Sequence, residues 1–426
     1  EVLTGKAKFG IFGDGKEIAQ VALAKFFQKG DFRSGYYRDQ TLMFALGTSN
    51  VVDYFAQLYA DVENDPYSGG RNMNSHFSTP FVNEQGEWLP LSDRLNVSAD
   101  IAPTAGQMVR GLGLALGSKF FRNANPEPAF AGLTNEGNEV CFCTIGDAST
   151  SEGHFWETIN AAGVLQVPLA VIVYDDGYGI SVPKQFQTAK GSISAALEGM
   201  KRTEEESGIQ IYKVKGWDYA GMCEAFEEGI GLAREKHIPV LFHVEEVTQP
   251  QGHSTSGSHE RYKSSERLEW EKEWDGLVKM KEWLLSNGLA SASELEEIAI
   301  RAKEGAKASR DSAWKEYLEP LRQLSNHAVA LLKETTAVVA HKQDELNELV
   351  NELEGTRSPL RRDILRILYR AIQLCDDTEK ASSLKEFYQN LKLEGQRIYS
   401  SYLYDEGPKS ALKVQAVAPQ FLEEAP

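Results

Sequence analysis

The stretch Val140-Cys141-Phe142-Cys143-Thr144-Ile145-Gly146-Asp147-Ala148-Ser149-Thr150-Ser151-Glu152-Gly153 decides the fold of this chain. Residues 140–145 form an apolar run of strand length. A helical pattern follows over 152–166, then a second apolar run over 169–174, then Asp175-Asp176-Gly177-Tyr178-Gly179. Continuous apolar strands joined by a helix predict a βαβ unit in a parallel sheet covered on both faces. Both strands of a right-handed βαβ unit end at the same sheet edge. Asp147 lies just past the first strand and Asp176 just past the second. Two carboxylates therefore converge at the carboxyl edge, where open α/β sheets bind ligands.

Paired hard oxygen ligands beside a loop suit Mg²⁺, which also takes phosphate oxygens and water. The amide groups at the start of the following helix favour an anion next to such an ion. The pattern fits a magnesium diphosphate. The same residues also admit a plain reading, in which Asp147 caps a helix and Asp176 belongs to a turn. A magnesium phosphatase with Asp147 as nucleophile is a further reading.

Outward from this unit, helical and strand signals alternate to about residue 290. Residues 17–27 read as a helix stopped by Gly30-Asp31, and 64–100 as a long loop region of the functional kind. Residues 106–119 read as a small-residue helix and 240–244 as another strand. Gly111, Gly113 and Gly117 fall inside that helix rather than after a strand, so they predict close helix packing, not a dinucleotide loop. Beyond about residue 260, Ala/Leu/Glu/Lys-rich segments run to about 405 with few strand signals, and 407–426 read as loosely ordered. The expected fold class is α/β, a doubly wound parallel sheet followed by a helical C-terminal region.

Of the 426 residues 45 are basic and 62 acidic, a net charge of −17. That balance argues against nucleic-acid or anionic-membrane partners, which require clustered positive charge. No run approaches the roughly 18 apolar residues of a membrane span. Four cysteines make no disulfide framework. Cys141 and Cys143 could be a metal pair, but no second pair follows, and a buried strand explains them. The chain starts Glu1-Val2-Leu3-Thr4 without Met or a secretory apolar stretch, so a trimmed start and a cytoplasmic location are the expectation.

Further motifs carry a family resemblance. Gly146-Asp147-Ala148, then 26 residues, then Asp175-Asp176 resembles the thiamine diphosphate motif, usually Gly-Asp-Gly and Asn-Asn. Ser151-Glu152-Gly153, Glu157, Asn160-Ala161-Ala162, Pro168 and Tyr178-Gly179-Ile180-Ser181 resemble the alpha subunit of 2-oxoacid dehydrogenases. So do Gly35-Tyr36-Tyr37-Arg38-Asp39, Gly70-Arg71-Asn72-Met73-Asn74-Ser75-His76 and Gly252-His253-Ser254-Thr255-Ser256. The segments occur in the family's order over about residues 5–320. The resemblance implies the thiamine diphosphate-binding fold and oxidative decarboxylation of a 2-oxoacid, with acyl transfer to a lipoyl group. The cofactors implied are thiamine diphosphate and Mg²⁺.

Carried over residue by residue, the resemblance makes Asp147, Asp176 and the carbonyl of Tyr178 the metal ligands. Tyr37 and Arg38 would touch the diphosphate, as would the segment Gly146, Asp147, Ala148 and Ser149. Ala102 and Thr104 would meet the aminopyrimidine ring. His253 would stand near the reacting carbon, with His76 as a second candidate catalytic residue. Ser254 and Ser256 match positions that some relatives phosphorylate, and His259 is expected in solvent. Two departures stand out: Asp176 replaces an Asn, and Tyr174 replaces a second diphosphate-binding arginine.

The resemblance also implies partners: a beta subunit, or a beta half of a fused chain, supplying the glutamate that activates the cofactor, and a lipoylated dihydrolipoyl acyltransferase. It divides the chain into 1–321, an alpha-subunit-like domain, and 322–426, a helical connector or arm toward the beta partner. The His253-Ser254-Thr255-Ser256 loop resembles the branched-chain type, 3-methyl-2-oxobutanoate dehydrogenase. Pyruvate or acetoin dehydrogenase is the alternative within the enzyme class, and a cofactor-binding scaffold without turnover is the alternative outside it.

Overall fold

The computed structural model describes residues 1–124, 130–255, 257–375, 379, 381–400, 405–408 and 410–420. Its centre is a six-stranded sheet, all parallel, in the order β2-β1-β3-β4-β8-β7. In chain order β1 is Phe32–Ser34, β2 Asn96–Val97, β3 Cys141–Gly146 and β4 Leu169–Tyr174. A two-residue pair, β5 (Tyr178–Gly179) with β6 (Val182–Pro183), is antiparallel and separate. The strands β7 (Gln210–Lys215) and β8 (Val240–Glu245) complete the sheet. The βαβ reading holds: β3 and β4 pair in parallel with Gly146 opposite Tyr174, and α5 (Gly153–Leu165) joins them.

Helices cover both faces. On one, α1 (Glu17–Ala24) and α7 (Tyr219–Lys236) share a core with alternate sheet residues Phe142, Ala170, Ile172, Tyr174, Phe242 and Val244. On the other lies α4 (Gly106–Asn123), where a Cβ on Gly111 would stand 3.1 Å from the Cys143 sulfur. Every residue of β4 is buried, which explains why its sequence is apolar without alternation. Short helices α2 (Gln40–Ala45), α3 (Val51–Leu58) and α6 (Ile193–Ala196) fill the connections, and α8 (Ser265–Glu273) and α9 (Gly276–Ser286) follow the sheet.

The chain divides into two compact units, Glu1–Phe81 with Pro90–Tyr317, and Val82–Leu89 with Leu318–Pro426. The second has its own core. Ala328 and Leu332 come from α10 (Ala292–Val338), and Leu346, Leu349 and Leu353 from α11 (Gln343–Glu354). Ile364, Ile367, Leu368 and Ala371 come from α12 (Arg361–Leu374), and Leu384 and Leu391 from α13 (Ser382–Ser400). Their spacing is that of one apolar stripe per helix.

Some expectations are corrected. The 64–100 region contains β2, too short to announce itself by alternation but long enough to pair with β1. The first helix ends at Ala24, short of residue 27. Gly111 does serve close packing, whereas a Cβ on Gly113 or Gly117 would meet nothing within 4 Å. His259 is half-buried rather than in solvent, packed beside Gly252. Among the described residues no helix is long and apolar enough to cross a membrane, and Cys141 and Cys143 are buried free thiols in β3.

Candidate active site

An open cavity of about 350 Å³ lies beyond the carboxyl ends of β3 and β4. Tyr37, Arg38, Thr104, Gly146, Asp147, Ala148, Ser149, Asp176, Tyr178 and His253 all line it. Ala102 is exposed and His76 is buried with its Nδ1 3.3 Å from the Asn74 carbonyl; neither lines this cavity. Ser256 lies outside the described residues.

The backbone fixes the acidic groups. Asp147 N–H donates to the Tyr174 carbonyl at 3.1 Å, which carries the sheet register into the loop. The Thr150 hydroxyl donates to the Asp147 carbonyl at 2.6 Å. Asp176 Oδ1 accepts from Tyr178 N–H at 3.1 Å, an Asx-type turn completed by Gly177 at φ +82°. The turn alternative for Asp176 is thus present, and it aims the carboxylate into the cavity rather than away. The capping alternative for Asp147 fails, because its side chain makes no cap hydrogen bond.

Asp147 is 5% exposed, and its Oδ2 has no hydrogen-bond partner among the described residues. Burial pushes its carboxyl well above the usual range, and the nearby charges of Asp176 and then Asp175 push the same way. A cation in the cavity would reverse that. Asp175 behaves oppositely. Burial raises it, but hydrogen bonds from His243 at 3.0 Å and Lys184 at 2.7 Å outweigh burial and hold it below the carboxylate range. His243 is in turn fixed by Ser194, whose hydroxyl lies 2.9 Å from Nδ1.

The Gly35–Asp39 segment is held from beneath by Arg33, which is fully buried. Its guanidinium donates to Asp39 Oδ2 at 2.6 Å, to both Asp100 oxygens at 2.9 and 3.0 Å, and to the Tyr36 carbonyl at 3.0 Å. That fork is the bidentate geometry in which arginine exceeds lysine. The Arg38 guanidinium donates to the Phe12 carbonyl and, at 2.9 Å, to the His253 carbonyl. It also stands 3.1 Å from His253 Nδ1. Burial, then the Arg38 charge, lowers the pKa of His253 and so favours the neutral ring. With Nδ1 accepting from Arg38, the proton sits on Nε2.

The sequence profile of the family described as "Dehydrogenase E1 component" matches residues 3–318. The chain belongs to the dehydrogenase E1 component family. It is 27% identical over 299 residues to the 2-oxoisovalerate dehydrogenase subunit alpha of Bacillus subtilis, covering 70% of this chain and 79% of that protein. It is 28% identical over 178 residues to the pyruvate dehydrogenase E1 component subunit alpha of Rickettsia bellii, covering 41% and 51%. It therefore spans about half the length of the latter. A 2-oxoisovalerate dehydrogenase subunit alpha 2 of Arabidopsis thaliana is 26% identical over 321 residues, covering 75% and 57%. The resemblance drawn from the motifs is thus borne out as an E1 component of the alpha type.

In this E1 component Tyr174, where the resemblance leads one to expect an arginine, is fully buried and stacks on Tyr36 at 6.4 Å instead of lining the cavity. Sequence reasoning missed the lining residues Gln187, Gln249, Tyr262 and Lys263, and it quoted Tyr36 without giving it a role. It also missed Arg33 and Lys16, which act from behind the wall. Lone residues on loops leave no spacing signal. Arg33 could have been suspected as a charge inside the run that became β1.

Proposed function

We propose that this chain is the alpha component of a thiamine diphosphate-dependent 2-oxoacid dehydrogenase and that its cavity binds the diphosphate through Mg²⁺. One observation carries the reading. Asp147 and Asp176, from two adjacent parallel strand ends, enter one cavity beside Tyr37 and Arg38, and an Asp147 oxygen there has no partner among the described residues. A buried, unpaired carboxylate among like charges is costly unless a cation joins it. The donor set of two carboxylates with main-chain oxygen suits Mg²⁺.

On this reading Asp147, Asp176 and the Tyr178 carbonyl hold the metal. Tyr37, Arg38 and the Gly146–Ser149 turn receive the diphosphate, and Thr104, the residue of the Ala102–Thr104 segment that lines the cavity, meets the aminopyrimidine. When bound, thiamine diphosphate supplies carbanion stabilisation, which side chains do poorly. Arg38 is a positioning residue as well as a phosphate donor, because its contact with Nδ1 fixes the His253 tautomer. His253 then presents Nε2–H as a proton donor near the reacting carbon. His76, buried outside the cavity, would act only by supporting the Asn74–His76 loop.

The glutamate that activates the cofactor comes, on this reading, from a beta partner, and the acyl group passes to a lipoylated acyltransferase. Residues 322–426 serve as a connector or arm toward that partner. The substrate is a branched-chain 2-oxoacid, supported by the His253-Ser254-Thr255-Ser256 loop; relatives bear both 2-oxoisovalerate and pyruvate names. The test mixes the chain with a beta subunit, Mg²⁺ and thiamine diphosphate. Release of carbon dioxide faster from 3-methyl-2-oxobutanoate than from pyruvate is expected. The reverse preference refutes the substrate, and cofactor binding without turnover of either favours the scaffold reading.

A further inference from the structure

Lys16 is buried to 1% exposure and sits at the N-terminal end of α1. Both circumstances are unfavourable. Desolvation penalises the ammonium, and the helix dipole presents its positive end there. Gly15 delivers the side chain at φ +81°, at a point where a Cβ would stand 2.1 Å from the Thr248 carbonyl. The position is built, not incidental.

The Lys16 ammonium donates to Gln249 Oε1 at 2.6 Å, to the Thr248 carbonyl at 3.2 Å and to Asp176 Oδ2 at 3.3 Å. Gln249 is itself oriented, since its amide donates to Asp14 at 2.6 Å. Asp176 is one of the two carboxylates that enter the cavity. Lys16 reaches it from behind the wall, because Gln249 lines the cavity and Lys16 does not. The other acid of the doublet, Asp175, has its own cation in Lys184 at 2.7 Å. Asp147 has none among the described residues. Of the carboxylates Asp147, Asp175 and Asp176, Asp147 is thus the one without a cation of its own among the described residues, while Asp14 adds a second negative charge near Lys16.

We propose that Lys16 is a built-in counter-cation of the acidic site, which offsets the charge of Asp176 and so sets how tightly a divalent cation binds there. The inference rests on the reading of Asp147 and Asp176 as metal ligands. A fixed ammonium beside one ligand lowers the field that a second cation meets, and removing it raises affinity. A merely structural lysine would have no such effect, or the opposite one.

The experiment uses Mn²⁺ as probe, titrated by electron paramagnetic resonance into the full chain with thiamine diphosphate present. Lys16→Met is expected to tighten Mn²⁺ binding by about tenfold. In the Asp176→Asn background the same substitution tightens Mn²⁺ binding less, because only the direct repulsion by the ammonium remains, and it raises the melting temperature, because Lys16 has then lost its nearest carboxylate. Unchanged or weakened Mn²⁺ binding by Lys16→Met overturns the proposal, as does an equal change in both backgrounds. Absence of Mn²⁺ binding by the unsubstituted chain refutes the metal reading and this inference with it, whereas binding indifferent to Lys16 refutes the inference alone. Should Lys16→Met not fold by itself, the double variant decides. Melting above Asp176→Asn supports the pairing; melting below it, or failure to fold, overturns it.

Discussion

Asp147→Asn separates the cost of an acidic site from its use. Asp147 is 5% exposed, its Oδ2 has no partner among the described residues, and Asp176 and Asp175 repel its charge. Leaving a buried polar group unsatisfied costs about 1–3 kcal/mol, more when it is charged. The amide keeps the volume and is itself left unsatisfied, so the gain is only the removed charge and its repulsion by Asp176 and Asp175; the metal-free variant should be more stable by about 1–3 kcal/mol. At about 2–4 °C per kcal/mol for mid-sized chains, and less for longer ones, its melting temperature rises by about 2–6 °C.

Ligand reverses the order. At a hundredfold excess over Kd, Mg²⁺ and thiamine diphosphate should stabilise the unsubstituted protein by about 2.7 kcal/mol. The variant, lacking a metal ligand, gains little. The pH dependence has a definite sign. A carboxyl raised in the folded state above its ordinary 3.8 contributes stability at low pH. That contribution is lost as pH climbs through the folded value. Metal-free protein should therefore lose stability with rising pH, with a shallower slope in Asp147→Asn, while metal affinity rises. Calorimetric melting with and without ligand at several pH values reads all three. A variant that melts lower without metal, or that is stabilised by ligand as well as the parent, would refute the reasoning.

Other consequences are as direct. Arg33→Met strands Asp39 and Asp100, both fully or nearly fully buried, and should cost about 3–5 kcal/mol in chemical denaturation; a loss under 1 kcal/mol would show that Arg33 does not hold the Tyr36–Arg38 turn. Arg38→Ala should weaken thiamine diphosphate binding and, by freeing Nδ1, raise the His253 pKa as read by NMR; an unmoved titration removes Arg38 as the residue that sets the tautomer. Burial pushes the Cys143 thiol up to about 12, and Cys141 is raised as well. Iodoacetamide at pH 8 should therefore modify half-buried Cys223 first, and early labelling of Cys141 or Cys143 contradicts a buried β3.

The sheet was legible because a strand covered on both faces has no reason to alternate, and 140–145 and 169–174 do not. The acid pair was legible because right-handed βαβ geometry leaves both strand ends at one edge. Three-residue β1 and two-residue β2 were not, since so few residues carry no period; their pairing is imposed by β3 and by the Arg33–Asp100 ion pair. His76, quoted in a matching loop, turns its ring to the Asn74 carbonyl, an orientation that loop sequence does not encode.

By itself the sequence determined the periodicities, the order of elements and which residue types stand at strand ends, because these depend on neighbours a few positions away. Only the tertiary structure decided which distant charges meet. Lys16 reaches Asp176 across 160 positions, and Arg38 reaches His253 across 215. Chain topology sets those encounters, and burial at the sheet edge then decides which carboxylate is compensated and which stays open to a cation.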